Sequence, residues 1–112
     1  MKDGRRHRRI PYTGPIRLAW TDNSGSPRFA LAKCIEISES GMRVELAADI
    51  PARTIVTMNA ERIKVAGPCS VRHSERRGGR FILGLELSQS LTEKAVEAIR
   101  HPWELRTETT VS

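Results

Sequence analysis

The sequence predicts an all-β domain with one C-terminal helix, folded as a six-stranded antiparallel barrel. Three observations carry this. Short segments alternate apolar and polar residues with a period of two, turn-forming Gly, Pro, Asn and Asp separate them, and helical spacing appears only after Ser90. At 112 residues the chain makes one domain, in which every strand must serve a single core. Closing short strands into a barrel hides their edges, and a helix can then cover an open end.

The first strand is read in Ile16-Arg17-Leu18-Ala19-Trp20-Thr21, where apolar residues alternate with small or polar ones. Asp22-Asn23-Ser24-Gly25-Ser26-Pro27 is a dense turn signal. A long strand follows from Phe29 to Ser38, with Phe29, Leu31, Ile35 and Ile37 on one side. Lys33 falls on that same side, so the face is imperfect or a bulge shifts its register. Ser38-Glu39-Ser40-Gly41 turns the chain into Met42, Val44 and Leu46, which alternate with Arg43 and Glu45 as a hairpin partner. Thr54–Met58 reads as a short strand. Ile63–His73 reads as another, broken near Gly67-Pro68, where an edge or bulge tolerates proline.

Arg76-Arg77-Gly78-Gly79 is a tight basic connection into the last strand, where Phe81, Leu83, Leu85 and Leu87 alternate with Ile82, Gly84 and Glu86. Leu91, Ala95, Val96 and Ile99 then recur at helical spacing, with Thr92-Glu93 as the start signal and Pro102 as the stop. The chain thus divides into a flexible basic arm over 1–15, a barrel with its helix over 16–104, and a loose tail over 105–112.

Only five residues are aromatic, Tyr12, Trp20, Phe29, Phe81 and Trp103, so the core must be mainly aliphatic. No secretory signal or membrane-length apolar window is present, and Cys34 and Cys69 sit alone in apolar segments as buried free thiols. A cytoplasmic location without membrane insertion is expected.

The formal charge of +6 favours an anionic partner. Lys2, Arg5, Arg6, Arg8 and Arg9 crowd the N-terminus, and Arg72, Arg76, Arg77 and Arg80 form a second group. Arginines four apart on a proline-bounded arm can turn their guanidinium forks towards one ligand. Each fork matches phosphate oxygens, or the O6/N7 edge of guanine, bidentately. The plainer reading of such a run is a solvated end.

Glu36-Ile37-Ser38-Glu39-Ser40-Gly41 places carboxylate, hydroxyl and glycine at a strand end. The carboxylate can accept from guanine N1–H and N2–H, and glycine lets a base approach the backbone. Its plainer reading is an ordinary turn.

Taken together the two segments are more specific. An arginine pair Arg5/Arg9 ahead of the first strand, then Ser38 and Gly41 at the next hairpin, resembles the signature of the PilZ domain family. Gly41-Met42-Arg43-Val44 and Leu83-Gly84-Leu85-Glu86-Leu87 resemble that family's flanking strands. The resemblance spans nearly the whole chain and implies a PilZ-like six-stranded barrel that binds cyclic di-GMP and reports it to a partner protein. It assigns the ligand to Arg5, Arg9, Glu36, Ser38 and Gly41, with Arg6 and Arg8 as auxiliary phosphate contacts. Glu36 stands where the family usually carries Asp or Asn. Gly4 stands where an extra arginine tends to accompany a stacked ligand dimer, which points to one ligand per protomer.

Two rivals accompany this reading. One is a small barrel binding single-stranded RNA, which the scarcity of aromatics for base stacking disfavours. The other is an interaction module of the same fold without the ligand. No enzyme is expected, since His7, His73 and His101 lack a nucleophile or carboxylate at triad-like positions, and no cofactor or metal is called for.

Overall fold

Alternation along each strand places one row of aliphatic side chains inside a closed sheet. The computed structural model describes residues 9–38 and 41–100. Six strands, β1 (Arg9–Thr21), β2 (Pro27–Ser38), β3 (Gly41–Leu46), β4 (Ile55–Ala60), β5 (Val65–Arg77) and β6 (Arg80–Leu87), precede one helix, α1 (Gln89–Arg100). The strands close in the order β1-β2-β3-β6-β5-β4, and every pairing is antiparallel. Arg17↔Asn59, Leu18↔Met58 and Ala19↔Thr57 complete the ring between β1 and β4. The expected barrel with a single C-terminal helix is therefore the observed fold.

The core is aliphatic, as the shortage of aromatics requires. Ile16, Leu18, Ile37, Met42, Val44, Leu46, Met58, Leu83 and Leu85 are fully buried, while Trp20 and Phe81 pack only partly against them. Burying one such aliphatic side chain stabilises the fold by about 1.5–3 kcal/mol. Helix α1 packs against β1, β2, β5 and β6 and sends Ala95 into the core. Leu91 lies over Gly67 of β5, where a Cβ would meet its Cδ1 at 2.7 Å. Among the described residues, no helix is long and apolar enough to cross a membrane.

Several boundaries differ from the sequence expectation for identifiable reasons. Strand β1 begins at Arg9 rather than Ile16. Pro11 and Pro15 fall where β1 has β2 as its one neighbour, so their missing N–H groups interrupt no second ladder. The same holds for Pro68, which pairs with Thr57 of β4 just before pairing with β6 begins at Cys69. Strand β4 is shifted to Ile55–Ala60, and β5 runs unbroken from Val65 to Arg77. Ile63 belongs instead to a 3-10 turn over Glu61–Ile63, closed by Lys64 at a left-handed φ of 58°.

Helix α1 starts before Thr92 because Ser88 caps it. The Leu91 amide donates to Ser88 Oγ at 3.1 Å, and the Thr92 hydroxyl donates to the Ser88 carbonyl at 3.0 Å. On β2 the buried face runs through Ala32, Cys34 and Ile37, whereas Phe29 and Leu31 are 78% and 67% exposed. A bulge at Ile35 switches the face, so Lys33 marked the outer side and its apolar neighbours lie there with it.

Cys34 and Cys69 are free and buried. Burial pushes the Cys34 thiol up to about 12 and the Cys69 thiol up to about 11. Their ordinary value is 9.0, so above that pH the unfolded chain releases protons that the folded chain keeps. The stability contributed by the neutral thiols is whole below pH 9 and is lost as pH rises through the window to about 11–12. At about pH 8 a thiol reagent is expected to label neither cysteine in the folded protein and both after denaturation. Labelling of either without unfolding would contradict this burial.

Candidate functional site

The β2–β3 hairpin is set by a glycine. Gly41, opposite Ser38, adopts φ +139°, and a Cβ there would run into the carbonyl oxygen of Leu85 on β6. Both the backbone conformation and the closeness of β6 therefore exclude a side chain.

Cross-strand register then gathers the polar residues into two adjacent rows. In the first, Arg9 of β1 pairs with Ser38 of β2, which pairs with Gly41 of β3. In the second, Pro11, Glu36, Arg43, Gly84 and His73 lie side by side on β1, β2, β3, β6 and β5. Ile37 is fully buried between Glu36 and Ser38, so alternation puts those two on the outer face of the barrel.

The barrel's register shifts all adjoin the second row. They fall between Pro11 and Gly14, between Cys34 and Glu36, and between Val71 and His73. Bulges raise local twist and re-aim side chains, and they are over-represented beside functional sites. At the β2 bulge the Cys34 thiol donates to the Glu36 carbonyl at 3.7 Å, which ties the row to the core behind it.

Glu36 Oε2 lies 3.5 Å from Arg43 Nη1, with the two side chains 20% and 37% exposed. A pair this open to water contributes about 0–1 kcal/mol, little enough for a ligand edge to share or displace it. Ser38 is buried at the rim.

The second basic group is largely taken up locally. Arg80 pairs with Glu45 at 2.9 Å, Arg77 pairs with Glu75 at 3.1 Å, and Arg76 lies 6.0 Å from the Phe81 ring centroid. Arg72 is the bulged residue of β5 and is exposed. Among the described residues, no group of His, Cys, Asp and Glu could hold a metal ion.

Of the residues singled out from the sequence, Glu36, Ser38 and Gly41 are brought together at one rim. Arg9 joins them through its backbone, the part of it that is described. Arg5, Arg6 and Arg8 lie outside the described residues, as do His7, His101, Pro102 and Trp103. Sequence reasoning missed Arg43 and His73 as members of the second row. The position of Arg43 could have been found by counting back from a two-residue turn, since pairing Ser38 with Gly41 sets Glu36 opposite Arg43. That of His73 depends on the β5 bulge, which no local residue pattern announces.

Comparison with known families finds a match to the PilZ domain over residues 3–101. No curated protein matches the chain. The family match meets the resemblance drawn from the two motifs and the last strand.

Proposed function

This chain belongs to the PilZ domain family, and on that premise we propose that it is a cyclic di-GMP receptor whose N-terminal arginines close the ligand against the Glu36–Ser38–Gly41 rim. PilZ domains are ligand-binding effector domains rather than enzymes, and cyclic di-GMP is the ligand they generally receive. The observation that carries the reading is the juxtaposition of Arg9, Ser38 and Gly41 in one cross-strand row, with Glu36 beside them on the outer face.

The ligand offers two phosphates and two guanines. Residue 9 pairs with Ser38 across β1 and β2, which puts an arginine position of the first motif in the same row as the rim. Arg5 and Arg9 grip phosphate oxygens or guanine O6/N7 through paired N–H donors, with Arg6 and Arg8 adding charge. The Glu36 carboxylate, oriented by Arg43, accepts from N1–H and N2–H of one guanine, while Ser38 offers a hydroxyl and Gly41 holds the hairpin that presents them. No cofactor is needed beyond this ligand.

Binding neutralises the like charges of the arm and orders the arginine arm ahead of β1 over the barrel. The remodelled surface is what a downstream protein reads. The exposed Phe29 and Leu31, at the other end of β2, give such a partner an apolar grip.

Calorimetric titration tests the reading. Cyclic di-GMP is expected to bind at one site per chain and at least tenfold more tightly than GTP or the linear dinucleotide, because neither presents both bases and both phosphates in one closed ring. Equal, strongly salt-dependent binding of all three and of RNA oligonucleotides would refute it. So would tight binding gained only on Glu36→Asp.

A further inference from the structure

The second row does not end at Arg43. It continues onto Gly84 and His73, and neither has a part in the ligand site just described.

Gly84 sits in the interior of β6, where a glycine weakens a strand by roughly 0.5–1 kcal/mol relative to alanine. Its backbone does not call for glycine, since its φ lies outside the left-handed range. What calls for it is the His73 side chain. A Cβ on residue 84 would run into the imidazole Nε2 and would meet Cε1 at 2.7 Å and Cδ2 at 3.0 Å. The missing side chain is therefore a seat, and the imidazole fills it by reaching from β5 onto β6.

The bulge at Arg72 sets His73 opposite this seat rather than one position away. His73 is exposed, so the seated ring remains open to solvent. Between it and Glu36 stands Arg43, whose guanidinium is also planar and partly exposed. Three inter-strand spacings, about 14 Å, separate the strand positions of Glu36 and His73. A ligand with one guanine on Glu36 and its ring over Arg43 can lay its second base along this same outer row.

We propose that His73, seated on Gly84, together with Arg43, forms a stacking platform for the second purine base of the bound cyclic dinucleotide. The inference rests on the receptor reading above. Imidazole and guanidinium planes both accept a base face, and stacking of this kind tolerates replacement by another flat ring.

The test measures cyclic di-GMP affinity by calorimetry for the parent, His73→Ala and His73→Phe, with thermal unfolding of each as a control for folding. His73→Ala is expected to weaken binding about tenfold, and His73→Phe to stay within about threefold of the parent. Gly84→Ala, which fills the seat and displaces the ring, is expected to fall towards the His73→Ala value. In the parent complex one guanine H8 proton resonance should move upfield, a shift that His73→Ala removes.

If the parent binds and His73→Ala binds equally well, the platform is overturned while the receptor reading stands. If His73→Ala loses affinity and His73→Phe does not recover it, the ring acts through its N–H groups and stacking is overturned. If the parent itself fails to bind, the receptor reading falls and the platform with it.

Discussion

Gly41→Ala is expected to destabilise the fold by about 3–5 kcal/mol, lowering the melting temperature by roughly 12–20 °C. Two independent costs add at this residue. The backbone φ of +139° is one that L side chains rarely adopt, and the added methyl would be driven into the Leu85 carbonyl oxygen. The Leu85 backbone cannot retreat cheaply, since its side chain is 1% exposed in the core and the residue pairs with both Met42 and Val71. Gly79→Ala is the control, because a Cβ there meets nothing within 4 Å and its φ is unexceptional. It should change stability by less than about 0.5 kcal/mol. Equal melting of the two variants would show that β3 is not pressed against β6 in this way. The glycine of the second motif is thus required by the barrel, and its presence alone says little about a ligand.

Arg9→Ala is expected to weaken cyclic di-GMP binding at least thirtyfold while leaving the melting temperature of the free protein within about 2 °C of the parent. One bidentate guanidinium contact to guanine contributes about 1–3 kcal/mol, and charge-assisted contacts to phosphate add to it. Residue 9 opens β1 at the rim, where its Cα pairs with Ser38. An arginine there belongs to the proposed clamp and not to an aliphatic core, so its removal is expected to cost affinity rather than folding. Arg9→Lys keeps the charge but loses the planar fork, so it should recover only a small part of the affinity. Parent-like binding by Arg9→Ala would remove the clamp from the mechanism.

The fold was legible because most of its strands are half-buried and alternate cleanly. Met42, Val44 and Leu46, and likewise Phe81, Leu83, Leu85 and Leu87, declare their inner face without ambiguity. The failures cluster where one residue breaks the period. The Ile35 bulge reverses the face of β2, so Phe29 and Leu31 look like core in the sequence and lie outside in the barrel. Pro11 and Pro15 conceal the start of β1, because whether a strand tolerates proline depends on how many neighbours it has at that point.

The site was legible as far as its chemistry is local. Glu36, Ser38 and Gly41 sit within one hairpin, and their residue types suggest a polar rim. Arg43 and His73 enter only through register, and His73 only through a bulge two strands away in the sheet order. Gly84 looks in the sequence like a weak point in a strand, and its use becomes visible only when the imidazole of His73 is found over it.

The most direct test is to add cyclic di-GMP to the ¹⁵N-labelled protein and map which backbone amides shift. The account predicts changes concentrated at Arg9, Glu36, Ser38, Gly41 and Arg43, while Thr57 and Asn59 of β4 stay fixed across the barrel. Shifts confined to β4, or a spectrum that does not respond to saturating ligand, would contradict it.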